Sequence, residues 1–361
     1  MYKKLLIPSI CVILSYGFWI SPDFKQISAG VAIFLLGMLS LENGFRSFTG
    51  STLENLLRYS TNSRWKSLGF GIFSTTILQS SSLVSVITIS FLSAGLIDLT
   101  SGIGIIFGAN LGTTTGAWLI AGFGLKVDIS AYAMPMLVFG VLLTFQKSKA
   151  MNSIGYLLTG MGFLFLGIHY MKEGFETFKE TIDLSVYAIP GYHGMLLFML
   201  IGIIATVVMQ SSHATLLLII TALHVQQITY ENALALAIGA NIGTTVTAII
   251  GSLSANVQGK RLAVAHLIFN SITGLIAVIL ISQLIVAVDW LSASIGVPYN
   301  DFTLKLAIFH TLFNLLGVII TAPFINYMVK MLTVLLKEKV SPIEQPKYLT
   351  KSALNFADTA V

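Results

Sequence analysis

Charge is scarce in this 361-residue chain: Asp, Glu, Lys and Arg together make up 10% of it, against 55% for hydrophobic residues. Soluble domains carry about 25% charged residues, so the shortage excludes a globular body in water. Long low-charge stretches recur to near residue 336, and each crossing of the hydrocarbon takes ~20 residues, which leaves almost no length for a soluble domain. Cysteine is nearly absent, and the single Cys11 excludes an intrachain disulfide. The start, MYKKLLIPSICVILSYGFWISP, is basic and then apolar like a signal peptide, but it lacks a small-x-small cleavage site before Pro22. It is therefore expected to stay as a first helix. The net charge of +5 lies mainly in loop and tail Lys/Arg, so it speaks to orientation and lipid head groups and not to nucleic acid.

What the chain does have is one stretch written twice. Gly71 to Leu119 contains TTILQSSSL and then GANLGTTTGA; Gly202 to Ile250 contains ATVVMQSSHA and then GANIGTTVTA. Sixteen of the 49 positions are identical at a constant offset of 131 residues, without a gap. The identities concentrate in Gln, Ser, Asn, Thr and Gly, whereas a repeat kept only for packing would keep large apolar residues. Upstream, FLLGMLSLENGF (34–45) matches LFLGIHYMKEGF (164–175) at an offset of 130. Each unit is thus a full span, a connection, a polar-broken hairpin and a glycine-interrupted helix.

The fold class that follows is an all-α polytopic membrane protein of two repeats with re-entrant or broken hairpins. Spans are expected at Leu5–Ile20, Ile27–Phe48, Ile129–Phe145, Ser153–Met171, Leu262–Val288 and Thr303–Pro323, with polar connections at 49–67 and 172–194. The hairpin arms, about 68–78 and 83–97 around Gln79-Ser80-Ser81-Ser82 and 195–225 around Gln210-Ser211-Ser212-His213, are each short of a full crossing. The helices Ser101–Ala121 and Asn232–Gly251 are expected to break at their glycines, freeing carbonyls. The division is 1–26, an N-terminal transmembrane helix; 27–152, repeat 1; 153–261, repeat 2; 262–336, C-terminal transmembrane helices; and 337–361, a cytoplasmic tail.

Charge parity sets orientation. With Lys3 and Lys4 inside, and each hairpin starting and ending on one side, the inside receives Arg58, Arg64, Lys66, Lys147, Lys149, Lys260, Arg261 and the basic tail. The outside receives Asp23 with Lys25, Lys126 with Asp128, the 172–194 segment with Glu173, Glu176, Glu180 and Asp183, and then Glu231, Asp289 and Asp301. This Lys/Arg bias opens the first hairpin inward and the second outward, so the units are inverted, which is the construction of secondary transporters. Both termini are then cytoplasmic, in a multi-pass protein of the plasma (inner) membrane.

The chemistry at the motifs is that of neutral donors and acceptors. Short helices ending at the QSS breaks turn unsatisfied N–H groups toward a common centre, which suits an oxyanion. The Asn and Thr oxygens are hard ligands for a small cation. The QSS and GAN-x-GTT segments contain no Lys, Arg, Asp or Glu; Asp98 and Glu231 flank them near the expected helix ends. Positive charge for an anion must then come from a co-bound ion, and Na⁺ fits better than H⁺, which usually needs an intramembrane carboxylate or His. His213 is the one titratable residue in a motif; facing substrate, it would add a pH dependence near its ordinary pKa of ~6.5, and facing protein it would add none. A lone Ser/Thr-rich helix is usually helix–helix glue, but two copies in register argue for a site. His266 and His310, in the echo HLIFN and HTLFN, are expected to be packing or gate residues, and Glu42 is expected to pair with Arg46 one turn on.

Paired QSSS-type motifs, each followed by G-[AS]-N-[IL]-G-T-[ST], with a later H-x-x-F-N, resemble the type II sodium–phosphate cotransporters and their bacterial relatives over residues 30 to 325. The resemblance implies a substrate site of Gln79, Ser80, Ser81, Ser82, Gln210, Ser211 and Ser212, with His213 standing where the family usually has a third Ser. It also implies sodium ligands among Asn110, Thr113, Thr114, Asn241, Thr244 and Thr245. The expected function is sodium-coupled import of inorganic phosphate by alternating access, with Na⁺ as coupling ion and no cofactor, enzymatic activity or nucleic-acid partner. The sequence leaves a homodimer open. The alternatives are a carrier of another small oxyanion such as sulfate or arsenate, an intramembrane hydrolase, or a channel.

Overall fold

In hydrocarbon every backbone polar group must find its partner inside the protein, which restricts spanning structures to helices and closed barrels. The computed structural model describes residues 2–60, 63–125, 130–181, 188–189 and 191–338, and the described residues form helices and turns with no strand. Among the described residues, seven helical stretches are long and apolar enough to cross a membrane: Pro22–Phe45, Leu99–Gly122, Lys149–Lys179, Gly191–Met209, Tyr230–Ser252, Val257–Ile279 and Phe302–Leu335. The chain is a multi-pass, all-α membrane protein. The expected tail from residue 339 on, and most of the connection at 182–190, lie outside the described residues.

In chain order the helices are α1 (Tyr2–Ile20), α2 (Pro22–Ser60), α3 (Arg64–Leu78), α4 (Ser81–Ser93), α5 (Leu99–Leu119), α6 (Ser130–Thr144) and α7 (Lys149–Thr181). Then come α8 (Gly191–Met209), α9 (Ser212–His224), α10 (Tyr230–Ser252), α11 (Val257–Ile279), α12 (Ile281–Ser294), α13 (Phe302–Thr321) and α14 (Ile325–Leu335). The hairpins are the expected broken pairs, α3–α4 and α8–α9, but α8, at 19 residues, is long and apolar enough to cross by itself and is not a short arm. Two expectations fail next to them. The polar connections are not separate elements, since α2 runs on to Ser60 and α7 to Thr181. Nothing in those stretches forces a stop, and α7 is held past the apolar run by pairs one turn apart, His169–Glu173 and Lys172–Glu176, each 3.9 Å.

The second failure concerns the glycines of α5 and α10, which run unbroken through GAN-x-GTT. Those glycines are contact points. Gly108 lies against the Leu68 carbonyl and Gly112 against that of Ile72, while Gly239 and Gly243 meet the Met199 and Ile203 carbonyls in the same way. Small residues four apart let two helix backbones touch, so the carbonyls of α5 and α10 stay in their helices and are not freed.

A second glycine ladder joins α2 to α7. Gly30, Gly37 and Gly44 face Met171, Leu164 and Leu157; Gly160, Gly167 and Gly174 face Leu41, Phe34 and Ile27. In all six pairs the residue numbers add to 201, so the two helices are antiparallel. Each contact also has its image at the 130-residue offset: a methyl on Gly160 would lie 2.8 Å from Gly37 O, and one on Gly30 would lie 2.9 Å from Gly167 O. Equivalent helices of the two units therefore run in opposite directions about a point between Leu35 and Leu36. Around them, one apolar core gathers Leu217, Ile220, Leu234, Phe309 and Phe313, and another gathers Ile89, Ile103, Phe107, Leu262 and Phe269. Val138, Phe139, Leu142, Leu197, Leu200 and Ile204 face outward, as lipid-contacting side chains do.

Candidate functional site

At each hairpin tip the chain turns in the same way. Gln79 (φ 50°) and Gln210 (φ 53°) close α3 and α8 in the left-handed conformation, a region non-glycine residues seldom enter. The next residue starts the second arm: Ser80 Oγ accepts from Leu83 N, and Ser211 Oγ accepts from Ala214 N, both at 3.2 Å. Serine is a favoured N-cap because its oxygen satisfies one of the four orphan donors. The remaining N–H groups, with the positive ends of the α4 and α9 dipoles, are left for whatever sits at the tips.

Both tips open on one cavity of about 420 Å³. Its wall contains Ser80, Ser81 and Ser82 from the first hairpin and Gln210, Ser211, Ser212 and His213 from the second, seven of the eight residues expected to meet substrate. Thr247 of α10 and Leu35, Met38, Leu39 and Glu42 of α2 complete most of the wall. Ser211 Oγ contacts Met38 Sδ at 3.8 Å, which ties the second tip to α2. Two helix N-termini and five serines facing one space form a donor-rich cradle for a small oxyanion.

Gln79 stands behind the wall. Its Nε2 donates to Thr76 O (2.6 Å) and Thr115 Oγ1 (3.2 Å). Gln210 Nε2 likewise donates to Val207 O at 2.5 Å, while Thr247 Oγ1 reaches its Oε1 at 3.5 Å. Each glutamine amide thus caps the helix it ends. His213 is 4% exposed and seated on Gly116 of α5, and its Nε2 has no hydrogen-bond partner. A methyl on Gly116 would also lie 3.0 Å from Gln79 Oε1, so Gly116 brings the two halves of the motif together.

The Asn and Thr residues expected to hold a cation are buried behind the cavity. Thr113, Thr114, Thr244 and Thr245 donate their hydroxyl protons to carbonyls of their own helices at 2.7–3.0 Å, and their lone pairs remain. Asn241 is enclosed: its Nδ2 donates to Asn314 Oδ1 (2.7 Å), His310 Nε2 meets its Oδ1 (3.2 Å), and Asn314 Nδ2 donates to His310 O (2.8 Å). Asn110 uses Nδ2 toward Ile106 O (3.0 Å) and His266 Nε2 (3.2 Å). The two H-x-x-F-N segments therefore do more than pack or gate, since each histidine holds the asparagine of one GAN motif. Their doubling was visible in the sequence; their attachment to Asn110 and Asn241 was not. Glu42 was also missed as a cavity residue, because it lies outside both motif windows. The side chain of Arg46, its expected partner, lies outside the described residues.

A Na⁺/Pi-cotransporter family model matches residues 33–173 and 193–298, which include both hairpins and both GAN-x-GTT helices. The chain belongs to that family, one of transport proteins and not of enzymes. Among curated relatives, the uncharacterised Bacillus subtilis protein YqeW is 28% identical over 320 residues, covering 87% of this chain and 98% of YqeW. The YjbB proteins of Salmonella typhimurium and Escherichia coli, whose names assign them provisionally to inorganic phosphate export, are 25% identical over 340 residues. That match takes in 93% of this chain but 60% of YjbB. No solved structure matches the chain.

Proposed function

We propose that this protein is a secondary transporter that moves inorganic phosphate together with Na⁺ across the plasma membrane by alternating access. The observation that carries the reading is the single cavity into which both repeat-related hairpin tips open. Serine hydroxyls and helix N-termini there suit phosphate oxygens, and Asn110 and Asn241 with their threonines supply hard oxygen ligands for sodium. The antiparallel α2–α7 contact and the Lys/Arg bias support two units inverted across the membrane, with both termini in the cytoplasm and the Glu42 end of the cavity on the cytoplasmic side.

An inward Na⁺ gradient drives phosphate inward under this scheme. The names of the YjbB relatives favour a second reading, net export. Purified protein in liposomes, given labelled phosphate with sulfate and arsenate as competitors, tests both. Uptake that follows the Na⁺ gradient and reverses when the gradient is reversed supports symport. Phosphate flux indifferent to Na⁺ would overturn the coupling, and sulfate outcompeting phosphate would overturn the substrate.

A further inference from the structure

The helices α11 and α13 carry one pattern at an offset of 44 residues, RLAVAHLIFN (261–270) and KLAIFHTLFN (305–314). Each lays its histidine against the asparagine of a GAN helix, but the two asparagines are turned opposite ways. In the second half Asn314 Nδ2 donates to the His310 carbonyl, and its Oδ1 accepts from Asn241 Nδ2 at 2.7 Å. Asn241 Oδ1 is then left to accept from His310 Nε2 at 3.2 Å, so both ends of that amide are spent. In the first half Asn110 points its Nδ2 at the Ile106 carbonyl and at His266 Nε2, which as an acceptor carries no proton, so the neutral ring is protonated at Nδ1. Asn110 Oδ1 takes part in neither bond. Asn270, the counterpart of Asn314, is 1% exposed, and neither of its amide atoms has a partner among the described residues. Thr273 Oγ1, on the same face of α11, is buried and unpartnered as well.

Leaving a single buried polar group unpaired costs about 1–3 kcal/mol, and here the unpaired atoms fall at one place. His266 meets Asn110, and Phe269 stacks on Phe107 with ring centroids 4.2 Å apart, which fixes the register of α11 on α5. In the second half the same pattern brings the asparagine four residues after the histidine onto the GAN asparagine. We propose that Asn270 is a sodium ligand, its Oδ1 and that of Asn110 holding one Na⁺ between α11 and α5, in the clamp that Asn314 closes on Asn241 in the other half. This rests on the sodium–phosphate reading above. Neutral amide and hydroxyl oxygens are the ligands a hard cation takes, and Thr113 and Thr114 stand one turn on from Asn110 with lone pairs to spare. The oxygen and nitrogen of an amide diverge, so Asn270 Nδ2 and His266 Nδ1–H can meet water around the ion while Oδ1 meets the ion itself. His266 is a positioning residue: by accepting from Nδ2 it leaves Asn110 Oδ1 free, whereas His310 occupies that of Asn241.

The test is thermal unfolding of the purified full-length protein as NaCl replaces choline chloride at constant ionic strength, with phosphate binding measured in the same series. The proteins are wild type, Asn270→Ala, Asn270→Asp and Asn314→Ala. Na⁺ held by the folded state should raise the unfolding temperature of wild type as its concentration rises. Asn270→Ala should melt no lower than wild type in choline, yet need roughly tenfold or more Na⁺ for the same rise, since even an outer-shell partner of a metal is worth about 10–100-fold. Its phosphate binding should need correspondingly more Na⁺. Asn270→Asp keeps the oxygen and adds a charge that the ion neutralises, so it should melt lower in choline and gain more from Na⁺ than wild type does, which a merely structural role would not give. Asn314→Ala should move the Na⁺ requirement less than Asn270→Ala. Wild-type Na⁺ dependence in Asn270→Ala, no added gain in Asn270→Asp, or a larger shift in Asn314→Ala than in Asn270→Ala overturns the ligand and leaves symport standing. Wild-type melting and phosphate binding both indifferent to Na⁺ overturn the two together.

Discussion

The two hairpins share a sequence pattern and a turn geometry, yet they are packed to different degrees. In the second half, α9 is buried from Ser212 to Leu223 except at Leu218, closing against Ile168 and Met171 of α7 in one core. Thr206 Oγ1 donates to Thr215 Oγ1 at 2.9 Å, and Asn241 is held by Asn314 and His310. In the first half, α4 buries only Ser81, Val84, Ser85, Thr88, Ile89 and Leu92. Met38, the repeat counterpart of Ile168, borders the open cavity. Ser74, Thr75 and Ser85 hydroxyls are buried with no partner among the described residues, as are Thr159 Oγ1, His213 Nε2 and Tyr230 OH in the second half. At one repeat-equivalent pair the difference is direct: Thr206 Oγ1 has Thr215, whereas Thr75 Oγ1 has no partner among the described residues, and a buried polar group left unpaired costs about 1–3 kcal/mol. Two units that pack one motif differently are what the proposed alternating access would draw on.

The comparison breaks most severely if the shared framework is removed. Gly108→Val and Gly239→Val should fail alike, since each drives a side chain into a facing helix backbone, at the Leu68 and Met199 carbonyls. Overpacking costs typically 1–3 kcal/mol and more where backbone must move. The expected outcome is loss of monodisperse protein on size exclusion for both variants. Survival of either would mean that the two helix pairs are not equivalent.

Next comes transport itself. Gln210→Ala removes a cavity-wall amide and Gln79→Ala one that stands behind it, yet each amide caps the arm that ends at its own hairpin tip. Each should reduce phosphate uptake by tenfold or more, equivalent to about 1.4 kcal/mol, at normal expression. Normal uptake by Gln79→Ala with loss in Gln210→Ala would confine the site to the second tip.

A smaller effect sharpens the difference between halves. Asn314→Ala strands the buried Nδ2 donor of Asn241 and should destabilise by about 1–3 kcal/mol. Asn270→Ala removes an amide that has no partner among the described residues and should leave thermal stability unchanged or slightly raised. Equal losses in melting experiments would show that Asn270 is as engaged as Asn314.

Much of this arrangement was legible because polar residues repeated in register have few apolar explanations. The QSS breaks, the all-helical class and the spans of α2, α7 and α13 followed from composition and offset, whereas the expected Leu262–Val288 span is broken at Leu280 between α11 and α12, and the apolar stretches of α1 and α6, Pro8–Ile20 and Ala131–Thr144, are shorter than the seven crossing ones. The continuity of α5 and α10 did not, because a glycine that breaks a helix and one that admits a neighbouring backbone look the same in one dimension. The Gly30/Gly37/Gly44 and Gly160/Gly167/Gly174 ladders were present at the same offset, but their meaning needed the partner helix. Glu42 was hidden for a related reason: a residue 37 positions before Gln79 enters the cavity only through the crossing of α2 with α7.

His213 stands where the first motif has Ser82, and the structure turns that departure into a question of size. The large ring sits on Gly116, while at the repeat-equivalent positions the small Ser82 shares the cavity wall with Thr247. One pair is large on small, the other small on medium, so the two positions look matched across the halves. Gly116→Thr alone should then be destabilising, its β-carbon meeting the His213 ring and Gln79 Oε1, by about 1–3 kcal/mol. His213→Ser alone should cost about as much through the space it leaves. Together, His213→Ser with Gly116→Thr rebuild the Ser82–Thr247 pair and should recover most of both losses, a coupling of about 0.5–3 kcal/mol in a double-mutant cycle read by thermal melting. The doubly substituted protein should also keep the wild-type pH profile of uptake, because a ring 4% exposed and packed on Gly116 acts through its volume. Strict additivity of the two substitutions, or a pH profile that moves with His213→Ser, would show instead that the imidazole acts on the cavity and its contents.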